Sequence, residues 1–370
     1  MYKKKVIIAI SGGVDSSVSA WLLKNQNYQV EGLFMKNWEE DDTKNCNIKK
    51  DLYDAETICN QLNIYLHKIN FSFEYWEYVF KNFLYEYKIG NTPNPDVLCN
   101  KIIKFKYFMN FALKNLGADF ISTGHYVRCK KIKHQFHLLK GIDKNKDQSY
   151  FLYTIKEKQL TKILFPIGYL NKIEVRKIAE KLNFINAKKK DSTGICFIGE
   201  KKFPEFLNKY LSTKEGNIIN LNGKIIGKHK GLIHYTLGQR KRIGIGGILN
   251  NNNSDPWYVI KKDMKKNILI VAQGKNNPYL FSIGLIAKNI TWINYPFKIP
   301  KICSIKTRYR QKEICCKIKL LSNNKIKVLF NNPISSITPG QSAVFYSGSI
   351  CLGGGIIEKK ISYMNNNIID

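Results

Sequence analysis

The stretch Val6-Ile7-Ile8-Ala9-Ile10-Ser11-Gly12-Gly13-Val14-Asp15-Ser16-Ser17 decides the fold of this chain. Its first five residues form a short β-branched run behind Lys3, Lys4 and Lys5, the pattern of a buried strand. Val14, Val18, Trp21 and Leu22 then recur at helical spacing. A strand that breaks at Ser-Gly-Gly and re-enters as a helix makes an anion cradle. Backbone N–H groups at the helix N-terminus point at the ligand, and the glycines let phosphate approach the main chain. A Walker loop, G-x-x-x-x-G-K-[ST], would bring a lysine to the terminal phosphates, and this loop has none. The dinucleotide fingerprint G-x-G-x-x-G is also absent.

A chain of 370 residues with 44% hydrophobic content exceeds one ordinary core and predicts two or three globular domains. No apolar run is long enough to span a bilayer, and the run after Lys5 breaks too soon for a signal peptide, so a cytoplasmic protein without membrane association is expected. Sixty basic against 28 acidic residues leave a net charge of +32, a field that attracts polyanions and points to nucleic acid. Lysine far outnumbers arginine, and asparagine and isoleucine abound, as AT-rich coding would produce, so part of that excess has a compositional origin.

Strand-like and helix-like segments alternate through the first two hundred residues. Strands are predicted at 30–34, 65–69 and 120–123, with helices at 49–62, 73–87 and 101–116. Such alternation implies a parallel sheet covered on both faces, with ligands at the carboxyl ends of its strands. The first loop, Met35 and Gly124 all fall at such ends, which predicts one nucleotide crevice. Asn171 with Glu174 predicts a capped helix start, with Ile173, Ile178 and Leu182 as its apolar positions. From about residue 205 short β-like runs with Gly and Asn turns take over, so an all-β tail of barrel type is expected. The predicted organisation is an α/β catalytic domain at 1–204, a small central linker domain at 205–275 and a C-terminal β-barrel-like domain at 276–370.

Nine cysteines, an odd number, argue against a disulfide framework. Cys59 shares a helix face with Leu52, Ala55 and Leu62 and reads as a buried small hydrophobe. Cys315 and Cys316 are adjacent in a strand-like run and should face opposite ways. With no C-x-x-C pair, a dedicated metal site is not expected. Two cysteines stand apart. Cys99 closes Asn94-Pro95-Asp96-Val97-Leu98-Cys99-Asn100 just before a predicted helix that opens with lysine, a setting that favours thiolate. Cys196 follows Ser192-Thr193-Gly194 in a loop preceded by Lys188, Lys189 and Lys190, again a cationic setting.

The Ser-Gly-Gly-x-Asp-Ser loop resembles the PP-loop of ATP pyrophosphatases, which cleave ATP between its α and β phosphates. Over nearly its whole length the chain further resembles the bacterial tRNA-specific 2-thiouridylases. The residues carrying that likeness are 11–17, Met35-Lys36-Asn37-Trp38, 92–100, Thr123-Gly124-His125-Tyr126, 146–152, 191–199, 234–240 and Arg308-Tyr309-Arg310. The resemblance implies a PP-loop adenine-nucleotide-hydrolase-like domain that thiolates the wobble uridine of tRNA. ATP would bind across Ala9, Ile10, Ser11, Gly12, Gly13, Val14, Asp15 and Ser16, with Met35 and Gly124 on the adenosine side and Mg2+ organised through Asp15. Asn94, Pro95 and Asp96 would meet the target base. His125, Lys146, Asp147, Gln148, Arg308, Tyr309 and Gln341 would touch tRNA. Cys196 would carry a persulfide received from a sulfur-relay donor protein, and Cys99 would be the nucleophile, with a transient Cys99–Cys196 disulfide.

Two rival readings differ in chemistry. A PP-loop enzyme with a nitrogen nucleophile would not need Cys99 or Cys196. A tRNA-binding module without catalysis would need neither cysteine nor the intact 11–17 loop.

Overall fold

This computed structural model describes residues 3–39, 47–191, 203–245, 255–294, 300 and 303–362. Among them, β1 (Lys5–Ala9), β2 (Gln29–Lys36), β3 (Leu66–Asn70), β4 (Phe120–Ser122) and β7 (Ile163–Leu164) form a parallel five-stranded sheet in the order β3-β2-β1-β4-β7. The chain builds outward from β1 through β2 to β3, then returns to the other side of β1 with β4. Strand order therefore reverses between β1 and β4, and a crevice opens beyond their carboxyl ends. Val6, Ile7 and Ile8 are fully buried, as a strand covered on both faces requires. Val6 and Ile8 pack with Val18 and Ala20 of α1 (Val14–Asn25) and with Ile58 and Cys59 of α2 (Asn47–Gln61). Ile7 faces the other layer, two helical runs at 72–88 and 95–114 that bring Phe80, Phe83, Phe105 and Phe108.

The expected strand–helix alternation is present, with differences in detail. The helix placed at 101–116 begins six residues earlier, because Asn94 is extended at its N-cap and Pro95 occupies the first turn, where its missing N–H costs nothing. The run 72–88 contains a π-helical stretch, Trp76–Phe80, and the run 95–114 contains another, Asn100–Phe108. Ala20 and Leu23 are buried on α1 while Trp21 and Leu22 are only half-buried. The capping box at Asn171 and Glu174 is present, but Ile173 is exposed; the helix Lys172–Lys181 buries Lys172, Val175 and Ala179 instead.

Beyond residue 205 the central sheet runs β10 (Trp257–Asp263), β11 (Ile268–Gln273), β8 (Gly216–Ile219), β9 (Ile225–His229), around Ile218, Tyr235, Val259 and Val271. The C-terminal sheet runs β12 (Phe281–Trp292), β15 (Ile326–Ser335), β14 (Ile314–Leu320), β13 (Cys303–Lys306), β16 (Ser342–Ser347), β17 (Ile350–Ser362). Pairing of β12 with β17 closes it into a barrel. Two features were not read from the sequence: the two-residue strand β7 of the parallel sheet and the pairing that follows. A hairpin of the first 204 residues, β5 (Val127–Ile132) and β6 (Gln135–Lys140), adds to that sheet through Leu139 opposite Ile350 and Leu138 opposite Cys351.

The parts share one core. The cluster around Phe80 and Phe105 also takes in Phe206, Leu207 and Ile233 and, from the barrel side, Ile293, Val344, Tyr346 and Cys351. Tyr150 donates to Ser342 O at 3.0 Å, closing the seam with a hydrogen bond. Among the described residues no helix is long and apolar enough to cross a membrane.

Candidate active site

The loop after β1 turns through Gly12, whose φ of +71° belongs to the left-handed region that favours glycine. A Cβ there would lie 2.3 Å from Asp51 O, so α2 presses directly on the turn. Gly13 is the N-cap of α1 and offers no side chain to the first-turn N–H groups. Ser16 and Ser17 instead turn their hydroxyls back to Gly13 O, at 2.9 and 3.1 Å, and Ser11 N donates to Ser16 Oγ at 3.3 Å. The result is a rigid, uncapped helix start ringed by hydroxyls, suited to an anion. Asn186, 1% exposed, braces the turn from below by donating to Gly12 O (3.0 Å) and Ser17 Oγ (2.9 Å), while its Oδ1 has no hydrogen-bond partner among the described residues. Lys189 reinforces the same point, reaching Gly12 O, Asp51 and Asp54 at 3.1, 2.7 and 2.5 Å.

Gly124, at the end of β4, closes the crevice. A Cβ on it would sit 2.8 Å from Ser16 N, so only glycine lets the β4 end lie against the start of α1. Met35, near the end of β2, is half-buried beside the aromatic core. The first loop and Gly124 thus lie at the carboxyl ends of strands, as the strand reading expected, and the strand order makes that place the switch point.

Charged residues converge on Asp15 in the first turn of α1. Tyr126 donates its hydroxyl to Asp15 Oδ1 at 2.6 Å, and Lys172 Nζ lies 2.7 Å from the same oxygen. Lys172 also bridges to Asp191 Oδ1 at 2.8 Å, and Asp191 is held further by Lys146 at 2.5 Å and Arg176 at 3.0 Å. Partial burial raises the Asp191 carboxyl, but the hydrogen bonds and charges of Lys146 and Lys172 override it and bring the pKa down to about 2.

The second group of residues surrounds Cys99. Because the helix opens at Pro95, Cys99 lies a full turn inside it, 4% exposed and packed in the aromatic core. This corrects the expectation of a thiol at a helix N-terminus. Asp96, in the first turn, has its carboxyl raised by burial, with Lys104 pulling the other way. Lys104 also sits 3.4 Å from His125 Nε2, so it stands between the Asp96 turn and the end of β4. His125 is buried, shares a hydrogen bond of 2.8 Å with Thr123 Oγ1, and is held well below the ordinary histidine range by burial and by Lys104. Asn94 and Pro95 stand at the head of this helix. Cys196 lies outside the described residues.

The residues expected to touch tRNA are distributed over the seam. Asp147 is buried and accepts from Gly141 N (3.1 Å), Ser149 N (3.1 Å) and Ser149 Oγ (3.0 Å), which makes it a structural anchor here. Gln148 accepts from Tyr126 N at 2.9 Å, and Lys146 is paired with Asp191. Tyr309 packs on Phe151 with ring centroids 4.5 Å apart. Arg308 donates to Ser336 O at 2.6 Å, and Gln341 to Thr92 O at 2.8 Å. Thr92 N donates to Pro339 O at 3.0 Å, so the barrel grips the segment just before Asn94-Pro95-Asp96.

Lys172, Lys104 and Asn186 were missed by the sequence reading. The signal for Lys172 was available: it shares a helical face with Val175 and Ala179 at i+3 and i+7, so it had to point inward.

Residues 4–200 match a family model described as a tRNA methyl transferase HUP domain, 204–273 a tRNA methyl transferase PRC-barrel domain and 282–357 an aminomethyltransferase beta-barrel domain. Full-length relatives carry a different name. The tRNA-specific 2-thiouridylase MnmA of Buchnera aphidicola subsp. Acyrthosiphon pisum is 63% identical over 97% of this chain and 98% of its own length. The proteins of that name from Shigella dysenteriae and Escherichia coli SMS-3-5 are each 58% identical over the same shares. With its anion cradle at the switch point, its Cys99 motif and this likeness from end to end, the chain belongs to the tRNA-specific 2-thiouridylase family.

Proposed function

We propose that this protein forms 2-thiouridine at the wobble position of tRNA, using ATP to activate the base and a cysteine persulfide as the sulfur source. The observation that carries the ATP part is the uncapped start of α1, closed over by Gly124 at the β1–β4 switch point. The residues present suit a magnesium nucleotide. The first-turn N–H groups and the Ser11 hydroxyl offer donors to phosphate, and Asp15 offers a carboxylate to hydrated Mg2+. Met35 and Gly124 would border the adenosine.

In this reading the uracil 2-oxygen attacks the α-phosphate and pyrophosphate leaves, which turns a poor leaving group into AMP. The base must first leave the anticodon stack, and Asn94, Pro95 and Asp96 would receive it. Burial raises the Asp96 carboxyl against the pull of Lys104, and a carboxyl at this place can share a proton or a hydrogen bond with the base. The terminal persulfide sulfur of Cys196 replaces the activated oxygen at carbon 2. Cys99 attacks the persulfide, releasing sulfide or freeing the thiolated base, and leaves a transient Cys99–Cys196 disulfide. Because Cys99 is 4% exposed, its helix or what covers it must shift for that attack. Lys146, Gln148, Arg308, Tyr309 and Gln341, with Asp147 and His125 behind them, would position the tRNA, and the net charge of +32 would draw it in.

The test is to incubate purified protein with tRNA, ATP, Mg2+ and sulfide, and to follow 2-thiouridine and AMP by mass spectrometry. Thiolation with equimolar AMP supports the reading, with Cys196→Ser losing little because free sulfide bypasses persulfide delivery. AMP release without sulfur in the tRNA would contradict it and favour a nitrogen nucleophile.

A further inference from the structure

The 11–17 loop has no lysine of its own, yet two reach it: Lys189, held on Gly12 O, Asp51 and Asp54, and Lys172, held on Asp15 where the first turn of α1 opens. Lys172 comes from 157 positions away in the chain and sets its ammonium 2.7 Å from Asp15 Oδ1, in the first turn of α1. Its side chain is 11% exposed, so it is committed to this interior point rather than to solvent. The backbone that carries it is fixed. Lys172 N donates to Asp143 Oδ2 at 3.0 Å, and the Asn171–Glu174 capping box holds the residue before it. Its ammonium also lies 5.8 Å from the centre of the Tyr126 ring and contacts Asp15 and Asp191 together, at 2.7 and 2.8 Å.

Asp15 meanwhile serves two partners on one oxygen, Tyr126 and Lys172. A hydrated Mg2+ at Asp15 competes directly with the ammonium, and a phosphate against the first-turn N–H groups offers that ammonium a stronger acceptor nearby. We propose that Lys172 is the phosphate-binding cation of this crevice, parked on Asp15 and Asp191 and turned to the pyrophosphate part of the nucleotide when that is present. Asp191, itself fixed by Lys146 and Arg176, keeps the lysine within reach during the exchange. No bond is made or broken; one ion-pair partner replaces another.

This inference rests on the reading that ATP binds in the crevice, and its test separates the two. Binding of AMP and of magnesium pyrophosphate is measured by calorimetry on the full-length protein, wild type and Lys172→Met. Loss of a charge-assisted contact predicts pyrophosphate binding weakened on the order of 10- to 100-fold, with AMP binding changed less than about 3-fold. Lys172→Arg should restore pyrophosphate binding to within about 10-fold of wild type. Should Lys172→Met melt early, Lys172→Gln, which keeps a donor for both carboxylates, takes its place with the same expectation. Unchanged pyrophosphate affinity, or equal loss of AMP and pyrophosphate in a variant that melts like wild type, overturns the assignment of Lys172 alone. Wild-type protein that binds neither ligand overturns the ATP reading, and the inference with it.

Discussion

At the scale of single residues, the chemistry concentrates where charge and burial conflict. Asp191 is the clearest case, a partly buried carboxylate surrounded by Lys146, Lys172 and Arg176 with its pKa near 2. A carboxyl whose folded pKa is depressed from 3.8 contributes stability that is complete above its unfolded pKa and is lost as pH falls through the folded value. Solvent screening at this partly exposed site reduces the contribution to about 1 kcal/mol. Asp191→Asn should therefore lower the unfolding free energy by about that amount at neutral pH, with the gap to wild type closing from about pH 4 toward pH 2. Denaturant titrations at several pH values read this directly, and a gap that does not depend on pH would remove the ion cluster as its source. Residues of this kind were poorly legible in the sequence. Asp15 could be read from its motif and the inward face of Lys172 from its helical spacing, whereas the ion cluster they form with Asp191 appears only when the helix Lys172–Lys181 is laid against α1.

At the scale of elements, the first four strands of the parallel sheet and the capped helix at Asn171 were readable because periodicity and capping are local, whereas the two-residue β7 is too short to leave a periodic signal. The start of the Cys99 helix was misplaced because Lys101 looked like an opening, while Pro95 had already supplied a better one. The β5–β6 hairpin escaped notice for a different reason: its partner, β17, lies about two hundred positions along the chain, and nothing local encodes that pairing. The seam beside it is tight. A Cβ at Gly354 would sit 2.8 Å from Tyr153 Cδ2 and 2.5 Å from Ala343 O. Gly354→Ala should accordingly cost roughly 1–3 kcal/mol by overpacking, measured by urea unfolding. A loss below about 0.5 kcal/mol would mean that β17 does not bear on Tyr153 as described.

At the scale of the whole molecule, the three parts are tied together by one aromatic cluster and by the loop before Asn94, which touches the barrel at Pro339 and Gln341 and the central part at Thr236. The sequence conveyed the succession of an α/β part, a small central part and a barrel, because composition and strand spacing change at about residue 205. It did not convey that the segment leading to Asp96 and Cys99 is clamped by the other two parts. That arrangement explains why a base-modifying enzyme would need them: the segment proposed to receive the base is held by the same surfaces proposed to hold the tRNA. The central claim is that ATP activates the uracil 2-oxygen itself. The most direct measurement uses tRNA carrying 18O at the 2-position of the wobble uridine, with ATP, Mg2+ and sulfide, and weighs the AMP released. The account predicts that the label appears in the phosphate of AMP as 2-thiouridine forms; AMP without label, while the tRNA gains sulfur, would contradict it.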